Sequence, residues 1–141
     1  MSQRLISLMK EKNHFLEKYM NLNEREGVHF QSGIFDRLET FYSDRERILE
    51  IIKYLDGEID REQATLDPAQ MDRDTKAEIA AQLEIKKEVV DQVLKQDLDI
   101  LSVIEKEKSN IIRELQDLRR DRKGISGYKS AKVTNRFNEE A

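Results

Sequence analysis

The sequence contains no cysteine and no tryptophan, and only one proline and five glycines among 141 residues. Without cysteine there can be no disulfide framework, no thiolate nucleophile and no cysteine-ligated zinc. The glycines and the proline are too few for the many turns of a β-sandwich or β-barrel. Charged residues make up 38% of the chain, well above the usual quarter, so the composition favours long helices or disorder.

The sequence also lacks long apolar stretches. Residues 5–9 are largely apolar, but this stretch is shorter than the roughly 7–15 apolar residues of a secretory signal. No stretch approaches the ~20 residues that span a bilayer. We therefore expect a cytoplasmic protein with no membrane span. The net charge of −4 is unevenly placed, because residues 119–136 hold seven basic residues and one acidic residue on an otherwise acidic chain.

Apolar residues recur at intervals of three and four in three segments, which is the periodicity of amphipathic helices. The spacing predicts helices at about residues 3–31, 34–65 and 70–122. Ser32-Gly33 should separate the first two helices, with Ser32 capping the second. Asp67, Asp72 and Asp74 are rival caps for the third helix. Gly27 is expected only to loosen the last turn of the first helix.

The third segment carries a heptad pattern typical of coiled-coil packing. Thirteen positions from 80 to 122 alternate in steps of three and four, and nine of them are apolar. Asp97 is one of the polar exceptions, and we expect it to fix the register through a lysine of a neighbouring helix. A buried acid with a tuned pKa is the alternative. This helix would extend about 70 Å, against about 40 Å for the first, so part of it should project or find a partner.

Together these features predict an all-α fold, an elongated antiparallel bundle or coiled coil of three long helices over residues 1–123. Residues 124–141 are predicted to form a flexible basic tail. A nucleic-acid arm is one interpretation of that tail. The acidic body would repel DNA, however, and an acidic partner or the body itself serves equally well.

Few residues could support catalysis. No phosphate-binding loop, dinucleotide fingerprint, nucleophile elbow or HExxH motif occurs. Two Glu-x-x-His pairs, Glu11 with His14 and Glu26 with His29, have the spacing of carboxylate-bridged metal sites. Both lie on one predicted helix, roughly 22 Å apart, so they cannot share a metal pair. We predict a non-enzymatic protein without cofactor, catalytic residue or metal site.

The third helix carries more apolar surface than one stripe needs. A broad face in a three-helix bundle explains most of this surplus, and a groove for an amphipathic partner helix is the alternative. From the periodicity, the candidate partner-binding residues are Val93, Ile100, Val103 and Ile112, with Tyr128 as a clasp.

The N-terminal half resembles the FlgN family of flagellar export chaperones and its FliT-like relatives. The similarity covers about residues 1–66: a leucine-rich helix, a glutamate-bearing segment, a Ser/Gly turn, and a second helix that passes through a basic residue into a leucine/isoleucine cluster. The pieces that carry it are Leu5-Ile6-Ser7-Leu8, Leu16, Leu22, Glu24-Arg25-Glu26, Ser32-Gly33-Ile34-Phe35-Asp36-Arg37-Leu38-Glu39, Arg45-Glu46-Arg47-Ile48-Leu49 and Leu55.

The resemblance implies a cytoplasmic type III export chaperone. Such a protein binds the terminal amphipathic helices of flagellar hook-associated or cap subunits, prevents their premature assembly and delivers them to the export apparatus. The protein itself would be a monomer or a weak homodimer. The alternative is a coiled-coil structural or adaptor subunit that dimerises through the third helix.

Overall fold

A computed structural model describes residues 2–126 of the chain, with side chains for residues 3–121. Within residues 2–126 there are three α-helices and no strand: α1 is Ser2–Gln31, α2 is Leu38–Ala64 and α3 is Arg73–Ser126. A short 3-10 turn, Pro68–Gln70, lies between α2 and α3. The predicted all-α helical fold is confirmed.

The chain divides into two compact units, residues 1–101 (unit 1) and residues 102–141 (unit 2). Helix α3 contributes to both, because it begins at Arg73 and ends at Ser126. In unit 2 the structure therefore describes one continuous stretch of helix, residues 102–126. None of the helices within residues 2–126 is long and apolar enough to cross a membrane.

The helices of unit 1 run up, down and up. Arg4, near the start of α1, forms ion pairs with Glu58 and Glu62 near the end of α2, at 3.3 and 3.0 Å. Because the first residues of α1 meet the last residues of α2, the two helices are antiparallel. Asn13 donates a hydrogen bond to the carbonyl of Gln82, 3.0 Å away. Later residues of α1 contact later residues of α3, so these two helices run parallel.

Helix α1 holds most of the core of unit 1. Its buried side chains occur on more than one face, which fits a helix covered by both α2 and α3. At one end, Leu5, Leu8 and Met9 of α1 form a cluster with Leu55 and Ile59 of α2. Burying a leucine-sized side chain contributes about 1.5–3 kcal/mol, so this cluster is a main source of stability for unit 1.

The turn between α1 and α2 depends on Gly33, whose φ of +80° lies in the left-handed region that favours glycine. The Ser32 hydroxyl donates to the carbonyl of Val28 at 3.0 Å. Ser32 therefore completes the end of α1, and the expectation that it caps α2 is wrong. Helix α2 begins at Leu38, later than the expected start at residue 34. Phe35 stacks on Phe30 with ring centroids 5.6 Å apart, and this contact keeps the segment before Leu38 in the turn.

Two aspartates share the entry to α3. Asp67 accepts a hydrogen bond from the backbone N–H of Ala69 and caps the 3-10 turn. Asp72 accepts the backbone N–H of Thr75 at 2.7 Å and caps α3 itself. Hydrogen bonds from the side chain and the backbone of Thr75 lower the pKa of the Asp72 carboxyl. At its other end α3 continues through Gly124 to Ser126, past the predicted end. The rest of the predicted tail, residues 127–141, lies outside the described residues.

Candidate binding surfaces

The predicted partner-binding residues fall into different environments. Val93 and Ile100 are buried in unit 1. Val103, in unit 2, is partly buried, and Ile112 is half exposed. Tyr128 lies outside the described residues. The four described residues therefore do not form one exposed groove, because the periodicity that grouped them does not separate a covered face from a free one.

Ile100 nevertheless lines an open groove of about 410 Å³ on unit 1, between the last turns of α1 and the adjacent part of α3. Gly27 and Val28 of α1 line it on the other side. A Cβ atom at Gly27 would lie 3.6 Å from the side chain of Ile100, in ordinary van der Waals contact. The glycine therefore leaves room for one small group between the two helices.

The groove combines an apolar floor with an acidic rim. Val28 is 66% exposed, which is high for an apolar side chain at a helix–helix junction. Glu24 and Asp99 lie at the edge, on α1 and α3 respectively. Asn23 also lines the groove, and its buried Oδ1 accepts no hydrogen bond within the described structure. An apolar side chain flanked by basic residues fits such a surface.

Below the groove, Asp97 collects three donors from two neighbouring helices. The Tyr19 hydroxyl donates to its two carboxylate oxygens, at 3.0 and 3.2 Å, and Asn23 Nδ2 donates to Oδ1 at 3.0 Å. Arg45 of α2 completes the set with an ion pair at 3.2 Å. The partner of Asp97 is therefore an arginine, where we expected a lysine. Arg45 also donates a hydrogen bond to the Tyr19 hydroxyl.

Burial raises the pKa of the Tyr19 phenol, and the nearby carboxylate of Asp97 raises it further, although the hydrogen bond from Arg45 opposes them. Burial alone would lower the pKa of Arg45, but Tyr19 and Asp97 outweigh it and raise the pKa above its usual value. Tyr19 thus keeps its proton and Arg45 its charge near neutral pH. This cluster connects side chains of three helices.

A second buried acid lies near the turn end of α1. Glu26 is almost fully buried, and its Oε1 accepts hydrogen bonds from Arg25 at 3.3 Å and Arg37 at 3.1 Å. Arg37 immediately precedes α2, so the pair connects the turn to α1. His29 belongs to the same Glu-x-x-His pair as Glu26. His14, which belongs to the other pair, is exposed. Within residues 2–126 no cluster of three or more His, Asp or Glu could hold a metal ion.

Unit 1 also contains a cavity of about 360 Å³ beside the first half of α1, lined by both polar and apolar side chains. Lys12 and Lys86 line it together with Asp56 and Asp60. Lys12 forms an ion pair with Asp56, so part of this charge is already neutralised. The mixed charge gives the cavity no clear preference for an anion or a cation.

Unit 2 presents several large apolar residues to solvent. Four large side chains of α3 are between 48% and 51% exposed: Ile111, Ile112, Leu115 and Leu118. Three of them, Ile111, Leu115 and Leu118, are heptad positions of the sequence pattern. Coiled-coil periodicity is therefore present here without a described partner helix covering it.

Sequence reasoning missed the role of Gly27. It predicted a loosened last turn, yet α1 continues regularly through Gly27 to Gln31. The available signal was the glycine itself, because a glycine within an amphipathic helix often marks a close approach of another element.

Comparisons with protein-family models, with curated proteins and with solved structures find no match to this chain.

Proposed function

We propose that this chain is a non-enzymatic chaperone that binds an amphipathic helix of a protein client in the groove between α1 and α3 of unit 1. The observation that carries the proposal is the open groove itself, with Gly27, Val28 and Ile100 along its floor. An open groove with an apolar floor bounded by polar residues is a surface on which amphipathic helices dock.

The rim indicates the chemistry of the client helix. Glu24 and Asp99 place negative charge on opposite sides of the apolar floor. A client helix with a leucine or valine anchor, flanked by lysine or arginine, would match the floor and the rim together. A helix with acidic flanks would be repelled by the same two carboxylates. The proposal therefore predicts selectivity by charge as well as by apolar content.

The identity of the client is the finer part of the proposal. The resemblance of residues 1–66 to FlgN-family chaperones supports a cytoplasmic role in flagellar type III export. The clients would then be hook-associated or cap subunits, delivered to the export apparatus. Two of the residues that carry this resemblance, Glu24 and Ser32, line the groove.

A fluorescent peptide tests both levels. The chain has no tryptophan, so a single tryptophan in a synthetic client peptide reports on the peptide alone. We expect saturable binding of the terminal helix of a hook–filament junction subunit to the full chain. A second peptide of equal apolar content with basic flanks, unrelated to flagella, tests helix binding in general. Binding of the second peptide alone would contradict the flagellar assignment and retain the helix-binding function.

Two exposed apolar residues provide a matched pair of variants. Val28→Lys places a cation on the groove floor, where it should repel a basic client and weaken binding at least about tenfold. Tyr54→Lys changes an equally exposed residue of α2 that does not line the groove, and it should leave binding unchanged. If neither peptide binds, or if both variants bind as the parent does, the groove is not the client site.

Two helical glycines test the shape of the floor. Gly27→Ala puts a methyl group against Ile100 and should weaken client binding by filling the groove. It should also stabilise the helix by up to about 1 kcal/mol. Gly57→Ala gains the same helix propensity with nothing within 4 Å of its Cβ, so it should raise stability without changing binding. Equal binding by the two variants would show that the client does not reach the floor at Gly27.

A further inference from the structure

The apolar heptad residues of unit 2 form a stripe on α3 that is interrupted by Lys108. We call this stripe the unit 2 seam and define it by Ile104, Ile111, Leu115 and Leu118, with Ile112 beside it. Ile104 is partly buried, and the others are about half exposed. Apolar surface of this kind that faces water marks an interaction site. Apolar residues repeating every 3.5 positions specify another helix as the surface that covers them.

The charged residues beside the seam indicate which helix this is. In the heptad register, Leu115 is an a position and Ile111 and Leu118 are d positions. The g positions that flank the seam on one side are all acidic: Glu107, Glu114 and Asp121. On the other side, the e positions are Glu105, Ile112 and Arg119. The two sides therefore differ in charge, and the seam can distinguish its partner's orientation.

A parallel second copy of the same helix is complementary to this charge pattern. In a parallel coiled coil, a g residue faces the e residue five positions later on the other helix. Glu114 of each copy would then face Arg119 of the other, giving two attractive contacts by symmetry. An antiparallel arrangement would set Glu105 against Arg119 of the other copy on the e side, but it would also place acidic g residues against acidic g residues along the whole g side. The charges thus favour the parallel arrangement over the antiparallel one.

Lys108 fixes the register of that arrangement. It occupies an a position, where a single lysine costs stability but selects register and oligomeric state. In parallel pairing the two Lys108 residues lie at the same level, and Glu107 of the other copy is the adjacent g residue. An antiparallel copy centred on the seam would place Lys108 against the apolar Leu118. The polar position therefore agrees with the flanking charges.

We propose that the unit 2 seam is the interface for a second copy of this chain, which forms a parallel, in-register coiled coil between the two α3 helices. The seam uses residues that the client groove of unit 1 does not contain. The proposal therefore stands independently of the proposed chaperone function. The seam spans residues 104–118, about two heptads, so the dimer should be reversible and depend on concentration.

Charge reversal with rescue tests the interface. Sedimentation velocity of the full chain should show mass rising with concentration from 16.7 kDa towards twice that value. Glu114→Arg alone and Arg119→Glu alone should each weaken association about fivefold to tenfold, because two attractive contacts become repulsive. The double variant Glu114→Arg/Arg119→Glu exchanges the charges and should restore association. Each protein is also tested for client binding, which should not change.

Cysteine cross-linking tests the orientation. The chain has no cysteine of its own, so Leu118→Cys introduces a single thiol at a d position. In the parallel dimer these two thiols face each other and should form a disulfide on mild oxidation. In an antiparallel dimer centred on the seam they would lie several turns apart. Ser109→Cys, at the outward b position, is the control and should remain uncross-linked.

The outcomes separate clearly. A monomer at every concentration would overturn the proposal. A dimer that is insensitive to both single reversals, or that is not restored by the double variant, would show that another surface mediates it. A dimer without the Leu118→Cys cross-link, or with an equal Ser109→Cys cross-link, would contradict parallel packing at the seam. Rescue together with a selective Leu118→Cys cross-link would support it.

Discussion

Helix α3 carries one heptad pattern through two different environments. In unit 1 its heptad residue Asp97 is bonded to side chains of α1 and α2. In unit 2 the heptad residues Ile111, Leu115 and Leu118 are half exposed. The cover in unit 1 is partial, because its heptad residues Leu83, Leu94 and Leu101 are also 41–57% exposed. Periodicity identifies an apolar face, but it does not say whether the chain itself supplies the helix that covers it.

Ion pairs in the two units also differ in their exposure to solvent. In unit 1 the ion pair between Arg45 and Asp97 is mostly buried, with side chains 25% and 19% exposed. In unit 2 the pair between Arg120 and Asp117 is open to solvent, with side chains 77% and 59% exposed. Desolvated pairs depend strongly on their partners, whereas exposed pairs are screened by water and salt. We infer that the Arg45–Asp97 pair of unit 1 contributes to packing and that the described Arg120–Asp117 pair of unit 2 contributes little to it.

The largest expected effect is the difference in unfolding free energy between alanine variants at Leu5 and Leu115. Leu5→Ala removes a side chain that is 2% exposed in the α1–α2 cluster, and it should cost about 3 kcal/mol of unfolding free energy through lost burial and a cavity. Leu115→Ala should cost less than about 1 kcal/mol in the monomer, because the side chain is half exposed. Urea unfolding at low protein concentration measures both. Equal losses would show that Leu115 is covered within the monomer and would remove the contrast between the units.

The next largest effect is the difference in stability between alanine variants at Asp97 and Asp117. Asp97→Ala leaves Arg45, Tyr19 and Asn23 without their common acceptor, so it should cost about 2–4 kcal/mol. Asp117→Ala breaks the exposed pair with Arg120 and should change stability by less than about 0.5 kcal/mol. Raising the salt concentration should affect only the second pair noticeably. If Asp97→Ala proved as mild as Asp117→Ala, the cluster on Asp97 would not be what holds α3 to the other helices of unit 1.

The sequence was sufficient to predict the number and type of the helices. Long amphipathic rhythms identify helices well, because one face must be apolar wherever a helix packs. Gly33 marked the turn after α1 for a similar reason, since few residues other than glycine adopt its positive φ. Both features are local and can be read from neighbouring residues.

The sequence was less informative about which residues meet. Asp97 was expected to pair with a lysine, and it pairs with Arg45, 52 positions away in the chain. Val93 and Ile100 were candidates for a client groove; both are buried, and of the two only Ile100 lines the groove of unit 1. In each case the missing information was the rotation of one helix about its axis relative to another. That rotation results from packing across the whole bundle and is not encoded in any single spacing.

The smallest expected effect concerns Asp72, which fixes the end of α3 that belongs to unit 1. Hydrogen bonds from Thr75 lower the pKa of Asp72 in the folded chain, so its contribution to stability is present above the unfolded pKa of about 4 and is lost as the pH falls through the lower folded value. Asp72→Asn retains an oxygen that can cap the helix but cannot titrate. The variant should therefore lose less stability than the parent between neutral pH and strong acid.

Thermal unfolding followed across that pH range measures the difference, with Asp74→Asn as the control. Asp74 lies in the first turn of α3 and is the neighbouring acid that could have served as the cap. Its substitution should leave the parent's acid dependence largely intact, because the hydrogen bond to Thr75 remains on Asp72. Parallel pH profiles for the parent and Asp72→Asn would mean that the carboxylate does not hold the start of α3 in solution. If Asp74→Asn changed the pH profile instead, the capping residue would be Asp74, and α3 would begin later than the structure places it.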